Sequence, residues 1–207
     1  MLHVISETNG NLALLTQLIE RCPKSVENIV LLGDTGFGKV NRSKIEGILG
    51  MFPKKFFYLI QGNEDIRSEI PEQGKNFMAI TTARGWFVRR IDGQMVAFVA
   101  GAATVNGVSQ VFEESDEMAL SDFPNYLKTS SVTTVFSHDA PLSQYLLFKE
   151  EAKISLTNIH LDFALKRLCA SQRPVVWVHG TLGHSYLERY SQATVIGLDK
   201  HSHITLC

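Results

Sequence analysis

The feature that most constrains the fold is a series of short apolar segments followed by polar loops, most of which contain glycine. In the first third of the chain these segments cover residues 2–6, 28–32 and 56–60, and helical patterns at 11–21 and about 41–51 separate them. Strands that are apolar along their whole length are covered on both faces. Alternation of such strands with helices predicts an α/β fold.

The remainder of the chain predicts antiparallel strands as well. Residues 87–91 and 95–100 flank Asp92-Gly93, a dipeptide that supplies the positive φ angles of tight hairpin turns. The acidic residues within 113–130 predict a helix start followed by an irregular surface segment. Neither a repeat nor a linker divides residues 1–207, so we expect one domain. Further strands are expected at 132–136, 175–178, 194–198 and 204–206, with a helix at about 158–170.

Composition limits the partners and the setting. With 20 Lys and Arg residues against 21 Asp and Glu residues, the net charge is −1, which disfavours binding to nucleic acid or to an anionic membrane. The three cysteines are an odd number and widely spaced, which argues against a disulfide framework and a thiolate zinc site. The sequence shows neither an apolar run of membrane-spanning length nor the pattern of a signal peptide. We therefore expect a cytoplasmic location.

The polar loops at the strand ends carry the residues suited to chemistry. Loops that leave the carboxyl ends of parallel strands converge on one edge of a sheet. Carboxylate, amide and imidazole groups brought together at that edge would bind a hard or borderline divalent ion. Such groups occur in five loops, at residues 6–11, 33–36, 62–65, 137–141 and 179–184.

The ordered segments ISETNGN, LLGDTG, QGNED, FSHDAP and VHGTLGH resemble the five motifs of the calcineurin-like metallophosphoesterases, and the match spans nearly the whole chain. The resemblance implies a four-layer α/β/β/α sandwich of mixed sheets with a dinuclear site for divalent Mn, Zn or Mg. Three residues match the family pattern directly. Asp34 matches the carboxylate that bridges two metals, Asn63 matches the amide ligand, and His138 matches an imidazole ligand.

Several positions depart from the family pattern. Glu7 stands where the family has Asp, and its extra methylene is expected to displace the carboxylate from a tight metal site. Asn9 stands in place of a His ligand, and Glu64 stands in place of the His that assists the leaving group. Thr181 and Gly183 replace both histidines of the fifth motif.

The resemblance and these departures together define the expected site. His184 flanks the altered fifth motif and could substitute for a lost ligand, whereas His179 is expected to be a packed histidine bonded to the backbone. Few ligands remain for a second ion, so at most one tightly bound ion is expected. The expected catalytic residues are Asp34, His138 and Glu64, and the expected metal ligands are Asp34, Asn63, His138, Glu7, Asn9 and His184.

The lost ligands favour a degenerate site, weakly active or inactive, that binds a phosphate-containing small molecule or a protein partner. The phosphoesterase-like subunit of the retromer coat resembles the family in this way and serves as a scaffold. One alternative is an active, divergent phosphoesterase that acts on phosphodiesters or nucleotides with one metal or a rebuilt pair. Its additional ligands would come from Glu7, Asp65, His179 or His184.

A second alternative comes from residues 33–39, which follow a strand, precede a helix and match the spacing of a phosphate-binding P-loop up to its last position. That last position is Val40, which lacks the hydroxyl group that binds magnesium. This alternative would make the chain a P-loop-like nucleotide binder.

Overall fold

The computed structural model describes residues 1–81, 85–101, 120–148, 156–171 and 173–207, and eleven strands lie in this part of the chain. Those of the first half are β1 Leu2–Ile5, β2 Asn28–Leu31, β3 Phe56–Ile60, β4 Phe77–Ile80, β5 Trp86–Ile91 and β6 Gln94–Val99. Those of the second half are β7 Val132–Ser137, β8 Val175–His179, β9 Tyr186–Tyr190, β10 Ala193–Gly197 and β11 His203–Leu206.

The strands form two mixed sheets. The first has the order β11-β1-β2-β3-β4, in which β1 to β4 are parallel and β11 is antiparallel to β1. The second has the order β5-β6-β7-β8-β10-β9, in which the four inner strands are parallel and both edge strands are antiparallel. The predicted hairpin around Asp92-Gly93 is confirmed as the β5–β6 pair.

Five α-helices connect these strands in the described ranges, and a 3-10 turn lies at Arg67–Glu69. Asparagine side chains start the first two helices, because Asn11 accepts a hydrogen bond from the Leu14 N–H at 3.0 Å and Asn41 accepts one from the Ser43 N–H at 2.9 Å. None of the described helices is long or apolar enough to cross a lipid bilayer. The helices are α1 Leu12–Glu20, α2 Arg42–Gly50, α3 Phe123–Thr129, α4 Leu142–Leu147 and α5 Leu156–Ala170.

Three buried clusters separate four layers. The first packs α1 and α2 against the outer face of the first sheet, and the third packs α3 and α5 against the outer face of the second sheet. Between the sheets, Tyr58 stacks on Phe98 with ring centroids 4.5 Å apart, and Val4, Val30 and Val178 are fully buried. The predicted α/β/β/α sandwich is confirmed.

Some elements differ from the sequence-based prediction. Strands β4 and β9 and helix α4 were not predicted, since four to six residues at a sheet edge or on a surface carry a weak periodic signal. Residues 113–119 of the acidic segment lie outside the described residues. The prediction of an irregular surface segment after them is wrong, because α3 forms there and buries Phe123 and Leu127.

The register of the parallel strands aligns their carboxyl ends. Ile5 pairs with Leu31, and Leu31 pairs with Leu59 in the first sheet. In the second sheet Ser137 pairs with His179. The loops that follow these strands therefore leave at one edge of the sandwich, where their side chains meet.

Candidate metal centre

Three ionisable side chains from three of these loops meet at this edge. Glu7 follows β1, Asp34 follows β2 and His138 follows β7, and one possible ligand atom from each lies within 4.8 Å of the others. All three side chains are buried, with at most 4% of their surface exposed. Burial of two carboxylates together is costly unless a positive charge lies between them.

Asn63, from the loop after β3, completes this group through His138. Nδ1 of His138 lies 2.7 Å from the carbonyl oxygen of Leu32, so it must carry a hydrogen and donate it. Nε2 lies 2.9 Å from Oδ1 of Asn63 and 3.8 Å from Oδ2 of Asp34. In the neutral ring Nε2 is an acceptor, so its lone pair is free to bind a proton, an N–H group or a cation.

Electrostatics favours the proton when no ion is bound. Burial lowers the pKa of His138, but the Asp34 and Glu7 carboxylates outweigh it, and the net pKa is raised. A divalent ion would replace that proton, because a histidine ligand must be neutral. The donor set of two carboxylates, one amide oxygen and one imidazole nitrogen fits a hard or borderline divalent ion such as Mn²⁺ or Zn²⁺.

Asp65 holds the second loop in place. Its carboxylate accepts hydrogen bonds from the backbone N–H groups of Gly36 at 2.8 Å, Phe37 at 3.0 Å, Gly62 at 3.1 Å and Thr35 at 3.3 Å. Burial, together with the neighbouring Asp34 charge, raises the pKa of Asp65 to about 6 despite these donors. Both oxygens of Asp65 are engaged with the backbone, so the alternative in which Asp65 is recruited as a ligand gains no support.

The same hydrogen bonds argue against the P-loop alternative. A P-loop directs its backbone N–H groups at phosphate oxygens. Here the amides of residues 35–37 bind Asp65, and the side chain of Phe37 is buried in the core. The P-loop alternative therefore gains no support, because the second loop is built around an internal carboxylate.

Two glycines allow the loops to approach each other this closely. Gly33 has a φ of +96°, and a Cβ atom there would lie 2.3 Å from Nδ1 of His138. A Cβ atom on Gly62 would lie 2.2 Å from Oδ1 of Asp34. Any larger residue at either position would displace one of the site side chains.

The longer side chain of Glu7 still reaches the centre. Its Oε1 accepts a hydrogen bond from the backbone N–H of Thr181 at 2.9 Å, and its Oε2 lies 3.7 Å from Nζ of Lys200. Despite the extra methylene, Glu7 lies in the group with Asp34 and His138. Thr181, which replaces a family histidine, orients Glu7 through its backbone.

Asn9 and Glu64 lie beside the centre and share a lysine. Nζ of Lys39 lies 3.4 Å from Oδ1 of Asn9 and forms an ion pair with the Glu64 carboxylate. The hydrogen bond from Lys39 lowers the pKa of Glu64, so this carboxylate is ionised at neutral pH. An ionised carboxylate has no proton to give to a leaving group.

The two histidines near the fifth loop do not join the group formed by Glu7, Asp34 and His138. His184 is exposed, and its ring centroid lies 5.9 Å from that of Phe148. His179 is fully buried, with Nδ1 2.7 Å from the carbonyl oxygen of Gly180 and Nε2 beside the Tyr186 hydroxyl. Burial lowers the pKa of His179 to about 4, as expected for a packed, neutral histidine.

Two of the residues that shape this edge carried little signal in the sequence. Lys39 stands out in the sequence only as part of the P-loop pattern. Lys200 lies after β10, far along the chain from the carboxylate that it meets. No local spacing could have identified Lys200. The approach of β11 to β1 brings its loop to the site.

No protein-family model matches the sequence, and no curated protein matches it. Solved structures do match. A dimetal phosphatase from Danio rerio superposes with a TM-score of 0.61 and 12% identity over 97% of this chain and 87% of that one. The phosphopantetheinyl hydrolase of Mycobacterium tuberculosis gives a TM-score of 0.57 and 12% identity over 97% and 89% of the two chains.

A third match is GAP50 of Plasmodium, described as the anchor in the inner membrane complex, with a TM-score of 0.51 and 15% identity over 97% of this chain and 72% of that one. At sequence identities this low, the structural matches establish a shared architecture alone. Together with the two mixed sheets and the aligned loops, these matches identify the fold of this chain as that of the metallophosphoesterases.

Proposed function

We propose that this chain binds one divalent ion through Glu7, Asp34, Asn63 and His138, and that the bound ion holds a phosphate-containing ligand with weak hydrolysis at most. The observation that carries the proposal is the convergence of Glu7, Asp34 and His138 within 4.8 Å, with Asn63 hydrogen-bonded to the histidine. Phosphoesterase neighbours with the same fold support a phosphate-containing ligand.

Each side chain has a distinct role in this proposal. Asp34 and Glu7 supply negative charge, and Asn63 supplies a neutral oxygen. The hydrogen bond to Leu32 fixes the ring of His138 with Nε2 facing the centre. When bound, the ion would supply a Lewis acid for phosphoryl oxygens.

A second ion is disfavoured by what surrounds Glu7 and Asn9. Lys200 lies 3.7 Å from the outer oxygen of Glu7, and Lys39 lies 3.4 Å from Asn9. Positive charges on this side oppose a second cation, and the fifth loop presents the backbone of Thr181 rather than an imidazole. Glu64, proposed from the sequence as catalytic, acts here as a partner of Lys39 and not as a proton donor.

A protein-binding role is the second candidate, and it is compatible with the first. Leu146 and Leu147 on α4 are 62% and 49% exposed, and Leu187 on β9 is 59% exposed. The rings of Phe148 and Tyr186, 4.5 Å apart, join the end of α4 to the start of β9. Exposed leucines on adjoining elements favour a protein partner, and the anchor role of the Plasmodium neighbour is a precedent within this fold.

Cys22, Cys169 and Cys207 are free thiols, which supports the proposed cytoplasmic location.

Calorimetric titration of Mn²⁺ into metal-free protein tests the metal site. We expect one ion per chain for the wild type, and no measurable binding for Asp34→Asn, which lacks a buried charged ligand. Asp122→Asn, at an exposed aspartate whose side chain makes no capping bond, is the matched control and should bind like the wild type. Orthophosphate should bind the Mn²⁺-loaded protein about tenfold more tightly than the metal-free protein.

Assays on nitrophenyl phosphate, its diester and dinucleotides complete this test. Two ions per chain, with turnover that Asp34→Asn abolishes, would overturn the single-ion proposal and establish an active phosphoesterase. Absence of Mn²⁺ binding by the wild type would overturn the metal-dependent proposal altogether.

A further inference from the structure

The altered positions of the site are contacted by two lysines. Nζ of Lys39 bridges Asn9 and Glu64, which both stand at positions where the family pattern has a histidine. Nζ of Lys200 approaches Glu7, the position where the pattern has Asp. Each of these departures in the first and third loops is therefore accompanied by a positive charge from elsewhere in the chain.

Both lysines are accessible to a ligand at this edge. Their side chains are 41% and 51% exposed, whereas the Glu7 carboxylate is buried beneath Lys200. Both lysines are held close to Asp34. Glu64, the ion-pair partner of Lys39, donates its backbone N–H to Oδ1 of Asp34 at 2.8 Å. Glu7, which Lys200 approaches, belongs to the group with Asp34 and His138. A phosphoryl group bound to an ion on Glu7, Asp34 and His138 would meet both ammonium groups.

We infer that Lys39 and Lys200 take the place of a second metal ion and bind the phosphoryl oxygens of the ligand. This inference rests on the proposed single-ion site. Ammonium groups bind phosphate through charge-assisted hydrogen bonds. Glu64 and Glu7 then act as positioning residues that hold the two lysines near the ion when the ligand is absent.

Lys200 and the ion oppose each other at Glu7, but both favour the binding of phosphate. The metal affinity and the phosphate affinity of a Lys200 variant should therefore not fall together. Lys200 competes with a divalent ion for the Glu7 carboxylate, but it assists that ion in binding phosphate. Lys200→Gln should therefore bind Mn²⁺ as tightly as the wild type or up to about fivefold more tightly. The same variant should bind phosphate more weakly. A purely structural role for Lys200 would weaken both.

Calorimetric titration of orthophosphate into the Mn²⁺-loaded protein measures the affinity for phosphate. Lys39→Gln and Lys200→Gln should each weaken phosphate binding about tenfold. Lys24→Gln, at an exposed lysine before β2, is the matched control and should leave both affinities unchanged. Lys200→Arg keeps the charge and should stay within about twofold of the wild type.

The outcomes separate this inference from the function on which it rests. Mn²⁺ binding with unchanged phosphate affinity in both glutamine variants would overturn the inference, show that the lysines only neutralise the carboxylates, and leave the metal site intact. Two Mn²⁺ ions per chain would also overturn it, because a second ion would then supply the charge. A wild type that binds no Mn²⁺ would overturn the proposed function and this inference with it.

Discussion

Nε2 of His138 lies 2.9 Å from Oδ1 of Asn63, and the other nitrogen of the ring is committed to the Leu32 carbonyl. A neutral His138 therefore presents its Nε2 lone pair towards the amide of Asn63, whose oxygen is a second possible ligand atom. These two atoms together indicate where a cation would bind.

This relationship predicts the effect of Asn63→Ala. Loss of one neutral oxygen ligand should weaken Mn²⁺ binding about tenfold while the two carboxylates and His138 still retain the ion. Asn125→Ala, at an exposed asparagine on α3, should leave the affinity unchanged. Equal Mn²⁺ affinity of the two variants in a calorimetric titration would show that Asn63 does not contact the ion.

Asp65→Asn tests the role of the carboxylate beneath the second loop. Four backbone N–H groups now donate to the Asp65 carboxylate. The asparagine side chain would turn its own NH2 donor towards some of them, so these hydrogen bonds would be lost. We expect a loss of about 3 kcal/mol in the free energy of unfolding, measured with urea, and weaker Mn²⁺ binding because Asp34 shares this loop. A change in stability no larger than that of the exposed Asp122→Asn would contradict this role.

Two glycines provide a matched pair of substitutions. Gly62→Ala would place a methyl group 2.2 Å from Oδ1 of Asp34, so it should destabilise the fold by at least about 2 kcal/mol and weaken Mn²⁺ binding. Gly47 lies inside α2, and nothing beyond its chain neighbours and the backbone of its own helix lies within 4 Å of an added Cβ. Gly47→Ala should therefore stabilise the protein by about 0.5–1 kcal/mol, since alanine favours the helix. Thermal unfolding of both variants checks the opposite signs.

His3 predicts a loss of stability in weak acid that is independent of the metal centre. It is 1% exposed, with Nδ1 2.8 Å from the Thr205 hydroxyl and its ring centroid 5.1 Å from that of His203. Burial, assisted by His203, lowers the pKa of His3 from 6.5 to about 4. Between these values the unfolded chain binds a proton that the folded chain does not, so stability falls as the pH falls from 6.5 towards 4.

His3→Gln should remove this contribution while it keeps a polar group near Thr205. Between pH 7 and pH 5 the wild type should lose about 2 kcal/mol more than the variant in the free energy of unfolding. His201→Asn, at an exposed histidine with a φ of 62° that asparagine tolerates, should retain the wild-type dependence. Parallel urea titrations of the three proteins at both pH values provide the measurement. If the free energy of unfolding changes equally with pH in the wild type and in His3→Gln, His3 is excluded as the cause.

The sequence by itself determined most of the strands and the polar loops that follow them, because these signals are local and repeat along the chain. Apolar segments such as Phe56–Ile60 were long enough to be recognised as strands. The polar loop after each of them placed Asp34, Asn63 and His138 correctly at strand ends. Short edge strands such as β9 were not recognisable, because half of their residues face solvent and carry no apolar period.

Only the tertiary structure decided what the site contains. The reach of the Glu7 side chain depends on the Thr181 backbone, which arrives with a loop from the other sheet. Lys200 meets Glu7 because β11 pairs with β1, and the commitment of the second loop to Asp65 depends on how the third loop folds beneath it. These contacts join residues far apart in the chain, and their geometry follows from the packing of two sheets. Local sequence patterns do not predict how the two sheets pack together.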